Sequence, residues 1–205
     1  MSTTTFTMQA NYLDLQGRRI VLASKSPRRH ELMKGLGIPF EVRTKEVDES
    51  FSSELTGKEI PEFLAAKKAD AFRQELTEEE ILITSDTVVW LGDRVFNKPQ
   101  TRNEAVEMIT ELSGRTHEVI TAICISSTKK RVVTSETTKV HFGEIGKEAI
   151  KWYVDKYEPM DKAGAYGIQE WIGYVGIDRI EGSFYNVMGF PTRLFYLELA
   201  KFINS

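Results

Sequence analysis

The stretch Ile81-Leu82-Ile83-Thr84-Ser85-Asp86-Thr87-Val88-Val89-Trp90 constrains what this chain can fold into more than any other. β-Branched residues crowd it, and neither alternating face is polar throughout, so it reads as a strand covered on both sides. Such a strand belongs inside a sheet with other elements packed above and below it. Asp86 interrupts the run. Aspartate is a poor strand residue, and burying its charge is costly unless it is paired or bound to a metal. Two plain alternatives stand beside a functional Asp86: the strand stops at Thr84, or the carboxylate belongs to a structural ion pair.

A second stretch, Ser24-Lys25-Ser26-Pro27-Arg28-Arg29, follows the short apolar run Ile20-Val21-Leu22-Ala23. That run reads as a strand, and Glu31 to Leu36 as an amphipathic helix. Ser26 is expected at the N-cap and Pro27 at the first helical position. Arg28 and Arg29 then fall in the first turn, where unpaired N–H groups already make the helix end positive. A local rule broken without an evident structural gain points to function. Serine hydroxyls, two guanidinium forks and a helix N-terminus suit a polyanion, so the stretch is a candidate phosphate site. The plain alternative is a pair of solvated arginines on an outer face.

A chain of 205 residues suffices for one domain with a real core, or one domain in two lobes. The net charge of −3 leaves no overall basic field for nucleic acid, so phosphate binding has to be local. The single cysteine, Cys124, forms no internal disulfide and no cysteine cluster for zinc, as expected of a reducing compartment. No stretch reaches the ~18 apolar residues of a transmembrane helix, and the N-terminus lacks a signal-peptide core. A cytoplasmic protein without a membrane partner is expected.

Residues 1–17 read as a loosely ordered lead-in, and 18–205 as a single domain. Phe40 to Thr44 alternates as a second strand, and a carboxylate-rich loop follows through Glu46, Asp48 and Glu49. Pro61 is expected to open a helix carrying Lys67 and Lys68. Thr101-Arg102-Asn103-Glu104 is a capping box opening another. Glu118 to Ser126 and Val132 to Phe142 read as the arms of a long hairpin, and Lys147 to Tyr157 as a helix. Asp161 to Gln169 is a glycine-spaced loop and Tyr174 to Ile180 a strand. Gly182 to Pro191 is a second special loop, and a last helix runs from Pro191 to about Ile203. Helices and strands mix without strict alternation, which argues for an α/β protein with a mixed sheet.

Walker A, dinucleotide G-x-G-x-x-G and G-x-S-x-G patterns are all absent from the sequence, and His30, His117 and His141 lack zinc-ligand spacing. What remains is a set of loops of mixed charge, with Arg28, Arg29, Lys68, Lys98 and Lys162 against Glu46, Asp48, Glu49, Asp86 and Asp161. A metal-dependent phosphoryl enzyme needs both signs. Carboxylates hold a hard cation, cations neutralise a polyphosphate, and a carboxylate can deprotonate water.

Several scattered segments together resemble the Maf family of nucleoside triphosphate pyrophosphatases. They are Ser24 to Arg29, Ser85-Asp86-Thr87-Val88-Val89, Lys98-Pro99, Ser113-Gly114-Arg115-Thr116-His117, Asp161 to Gln169, and Gly182-Ser183 with Gly189-Phe190-Pro191. The resemblance runs from about Val21 to the C-terminus. It implies a curved mixed sheet in two lobes with a central cleft, as in the inosine-triphosphate pyrophosphatase superfamily. It implies hydrolysis of a nucleoside triphosphate to the monophosphate and pyrophosphate, with a divalent cation, Mg2+ or Mn2+, as cofactor. It further implies Asp86 as general base and Glu49 and Asp86 as metal carboxylates, with Lys68 and Lys98 beside the phosphates. Ser24, Arg28 and Arg29 match the first phosphate-binding loop, and Arg28, Thr87 and Gln169 the positions of base choice. A homodimer is a further implication. Lys25 departs from the pattern, standing where a small residue is frequent.

The Ser-Asp-Thr-Val form and the Tyr-Gly-Ile-Gln ending at Gln169 resemble the branch acting on dTTP and UTP. An amide presents a donor and an acceptor together, which suits the O4 and N3–H edge of those bases. A second class of function, a nucleotide-binding regulator of cell division or septum formation, is also associated with the family. It has no need of a water-activating carboxylate.

Overall fold

A computed structural model describes residues 13–205. Seven strands form one mixed sheet: β1 (Arg19–Leu22), β2 (Phe40–Val42), β3 (Glu80–Leu91), β4 (Arg94–Phe96), β5 (Thr116–Ser126), β6 (Arg131–Phe142) and β7 (Ile177–Glu181). Their order is β2-β1-β3-β5-β6-β7, with β4 paired to β3 off this path. β1 pairs in parallel with β2 and β3, and the remaining pairs are antiparallel. The helices are α1 (Pro27–Gly35), α2 (Glu59–Asp70), α3 (Arg102–Leu112), α4 (Lys147–Tyr157), α5 (Trp171–Val175), α6 (Phe184–Val187) and α7 (Thr192–Asn204).

The strand that anchored the sequence reading is central and covered on both faces. Ile81, Ile83 and Val89 join a large cluster with Met33 of α1, Ile109 of α3, Tyr153 of α4 and Phe195 of α7. On the other face Leu82 packs with Ala65, Ala69 and Phe72, and Val88 with Ile60 and Leu64, so α2 covers that side. β3 does not stop at Thr84 but runs on through Asp86 to Leu91.

One feature of the sheet positions everything else. β5 accompanies β3 without interruption from Leu82 to Trp90. On the opposite edge, β1 ends at the Leu22–Ile83 pair and β4 begins at the Val89–Phe96 pair. Between them β3 has no strand partner on that side among the described residues. The sheet is split there, and residues from both faces of β3 reach the same opening.

Several boundaries differ from the sequence reading for physical reasons. α2 starts at Glu59, so Pro61 is its third residue. The first-turn N–H groups have no intrahelical partner anyway, and proline is tolerated throughout that turn. Tyr174 and Val175 lie in α5, and the strand begins only at Ile177, after Gly176. The loop from Gly182 contains α6, whose N-cap Ser183 accepts from Asn186 N–H at 3.2 Å. Of the expected lead-in, residues 1–12 lie outside the described residues, while Leu13 and Leu15 pack on the main core.

Candidate active site

The break in the sheet opens into a cleft of about 520 Å³. Ser24, Arg28, Arg29, Glu49, Lys68, Asp86, Thr87, Lys98 and Gln169 all line it. Side-chain alternation along a strand explains how neighbours share one opening from opposite faces: Asp86 projects to the α2 face and Thr87 to the α1 face.

On the α2 face, Lys68 Nζ lies 2.5 Å from Asp86 Oδ1 and 2.7 Å from Glu49 Oε1. Lys98 Nζ sits 3.1 Å from Glu49 Oε2. Burial drives the Asp86 carboxyl above the usual carboxylate range, against the pull of Lys68 and Arg29. Burial acts on Glu49 in the same direction, but Lys68 and Lys98 outweigh it and hold its carboxyl down at about 2. Two carboxylates of unlike basicity thus meet on one ammonium. Asp48 and Glu46 stay outside this group, paired with Lys67 at 3.0 Å and with Lys25.

On the α1 face, Ser26 is the N-cap residue and Pro27 opens α1, but the Ser26 side chain makes no capping bond. The local hydroxyl contact belongs to Ser24, whose Oγ accepts from Ser26 N–H at 3.1 Å. Arg29 is spent inside the protein: Nε donates to Gly189 O at 2.9 Å, Nη1 to Ser85 O at 2.8 Å and Nη2 to Thr87 Oγ1 at 3.1 Å. Gly189 has φ 104°, a backbone conformation that glycine adopts freely, and this aims its carbonyl at the guanidinium. Arg28 points elsewhere, to Asp161 Oδ2 at 2.7 Å. The residue brought to Thr87 is therefore Arg29, not Arg28.

The glycine-spaced loop supplies the third wall. Lys162 is almost wholly buried and lies 2.9 Å from Asp161 and 3.1 Å from Glu170. Burial raises the Asp161 carboxyl, yet Lys162 and Arg28 together bring it below its ordinary value. Glu170 also accepts a hydrogen bond from the Tyr153 hydroxyl, and that hydroxyl accepts from Gly167 N–H at 3.0 Å. The loop end is thereby fixed, and Gln169 is left with a buried Oε1 that has no protein partner. A buried acceptor without a partner costs free energy unless a ligand supplies the donor.

The family model for Maf-like protein matches residues 19–202. This chain belongs to that family. A dTTP/UTP pyrophosphatase of Bacteroides thetaiotaomicron is 51% identical over 189 residues, covering 92% of this chain and 98% of that protein. One of Parabacteroides distasonis is 49% identical over 190 residues, covering 92% and 98%. The solved structure of the Staphylococcus aureus Ham1 protein shares the fold at a TM-score of 0.52 and 18% identity, covering 88% of this chain and all of that one. The mixed sheet with a central cleft is thus the architecture that the resemblance implied.

Within this Maf-like chain, Glu49 and Asp86 are the two carboxylates that meet on Lys68 in the cleft. Their oxygens already converge on one positive centre, the Lys68 ammonium. No group of three or more His, Cys, Asp or Glu side chains gathers for a metal among the described residues. A cation held here would find two protein carboxylates, Glu49 and Asp86. That is the donor set a small hard cation takes in phosphoryl enzymes. Among the described residues, no helix is long and apolar enough to cross a membrane.

The sequence places Lys162 among the loop cations and in the Asp161 to Gln169 segment of the family resemblance, but assigns it no role in the site. Thr121 and Asn186, which stand behind Thr87, carried no signal. A threonine in a β-branched run looks like any strand residue.

Proposed function

We propose that this protein hydrolyses dTTP and UTP to the monophosphate and pyrophosphate, as a metal-dependent nucleoside triphosphate pyrophosphatase acting through residues 18–205. The observation that carries the reading is the meeting of Asp86 and Glu49 on Lys68 inside a cleft walled by Arg28, Lys98 and Lys162. Its relatives at 51% and 49% identity, both dTTP/UTP pyrophosphatases, support the base class.

The chemistry follows from the side chains. Asp86, raised by burial, takes a proton from water. The water oxygen bonds to phosphorus, and the anhydride P–O bond between the α- and β-phosphates breaks. Electrons of that bond leave on the departing phosphate oxygen. Lys68, Lys98 and Arg28 hold the polyphosphate and stabilise charge that develops on it. Glu49, kept ionised by its lysines, would share Mg2+ or Mn2+ with Asp86, and the cation would neutralise phosphate oxygens. Gln169 offers its unpartnered amide to the base edge.

The test is pyrophosphate release from dTTP, UTP, CTP, ATP and GTP with Mg2+ or Mn2+, and with the cation chelated. Release is expected from dTTP and UTP, lost on chelation and reduced about 10³-fold in Asp86→Asn. Gln169→Ala should depress dTTP and UTP more than the other bases. An active Asp86→Asn variant overturns the role of Asp86, and preference for another base overturns the substrate class.

A further inference from the structure

β5 places Thr121 directly opposite Thr87 in the antiparallel register, on the same face of the sheet. Thr121 is fully buried. Its Oγ1 lies 2.9 Å from the Asn186 carbonyl oxygen and 3.0 Å from Thr87 Oγ1. Thr87 in turn accepts from Arg29 Nη2 at 3.1 Å. A hydroxyl has one proton and two lone pairs, a carbonyl only accepts, and a guanidinium only donates. The two ends of this chain therefore set the direction of the protons between them. Thr121 gives its proton to Asn186 O and takes the proton of Thr87, while Thr87 takes one from Arg29.

The reverse arrangement is poorer. If Thr121 donated to Thr87, the 2.9 Å bond to Asn186 O would be forfeited. The Thr87 proton would have only Gly189 O, at 3.5 Å, and that oxygen already accepts Arg29 Nε at 2.9 Å. No water reaches Thr121 to compensate, because the side chain is fully buried. Asn186 is itself pinned, donating from Nδ2 to Val119 O at 3.0 Å and to Thr138 Oγ1 at 2.9 Å, so the accepting end stays in place.

We infer that Thr121 sets the hydrogen-bond polarity of the base site: by taking the proton of Thr87 it leaves that hydroxyl a free lone pair and no donor toward the cleft. This rests on the dTTP/UTP reading above and deepens it. An acceptor-only hydroxyl matches the N3–H of uracil or thymine. It repels the bare N3 of cytosine, which is also an acceptor. Thr121 touches no substrate and is a positioning residue.

The experiment compares kcat/KM for UTP and CTP in the wild type, Thr121→Val and Thr121→Ser. Valine keeps the shape and removes the acceptor, so the Thr87 proton is free to turn toward an acceptor in the cleft. The UTP-to-CTP ratio should fall about tenfold or more in the valine variant, while serine keeps the wild-type ratio. A merely structural defect lowers both nucleotides together. An unchanged ratio in Thr121→Val, beside a wild type that discriminates, overturns the inference alone. A wild type that turns over CTP as well as UTP overturns the dTTP/UTP reading and the inference with it. If valine prevents folding, Thr121→Ala is measured the same way and decides by the same ratio.

Discussion

Lys68 carries the charge balance of the site. It neutralises Asp86 at 2.5 Å and Glu49 at 2.7 Å, and the two carboxyls separate because their surroundings differ. Burial raises Asp86, whereas Glu49, open to solvent and shared with Lys98, falls to about 2. The sign of the pH dependence follows. As the proposed base Asp86 has to be a carboxylate, so activity is expected to rise with pH through its raised pKa, with Glu49 already ionised. In Lys68→Met the cation that opposes the rise is gone. The acid limb of kcat/KM should move to higher pH, with turnover down about a hundredfold. A pH–rate profile of the two proteins checks this, and an unmoved limb would remove Asp86 as the titrating group. Arg28 and Arg29 show the same lesson in charge: cations at a helix N-terminus are unfavourable locally. Here each is answered from far along the chain, Arg28 by Asp161 and Arg29 by Ser85 O and Gly189 O.

At the scale of single elements, local chemistry was legible where its partners are near in sequence. Pro27 opens α1, and Thr101 caps α3 by accepting from Glu104 N–H at 3.2 Å. The second half of the expected capping box differs, since the Glu104 carboxylate takes Gln100 N–H at 2.7 Å. The N-cap bond still satisfies one orphan donor, so Thr101→Ala should lower the unfolding free energy by about 1 kcal/mol. Urea denaturation measures it, and a loss within error would mean that solvent replaces the cap. α5 and α6 were missed as helices. With five and four residues they are too short for a periodic pattern to show, and their stability comes from packing.

Across the whole molecule, Arg29 ties α1, the middle of β3 and the turn before α7 into one body. Replacing it with methionine strands two backbone carbonyls and the Thr87 hydroxyl. A loss of about 3 kcal/mol in unfolding free energy is expected. Lysine should recover only part of it, because one ammonium cannot span the positions that a planar fork reaches. Equilibrium unfolding of both variants tests this, and full recovery by lysine would reduce the tie to a point charge.

The β-branched density of Ile81 to Trp90 pointed to a strand covered on both faces, while its continuation past Thr84 through Asp86 was decided by the structure. The loop charges were compatible with phosphate and a cation, and the family resemblance is what implied a nucleoside triphosphate and a divalent cation. What the tertiary structure alone decided is where those charges meet. β1 ends at Leu22 opposite Ile83, β4 pairs with β3 only from Phe96 opposite Val89, and the length of β3 left between them becomes the opening. That gap lets Asp86 from one face and Thr87 from the other serve the same cleft. It depends on strand register and on partners such as Gly189, 102 residues from Thr87 in sequence. Such hydrogen bonds leave no local periodicity, because the hydrophobic pattern encodes which face is buried and not which distant polar atom will be waiting there.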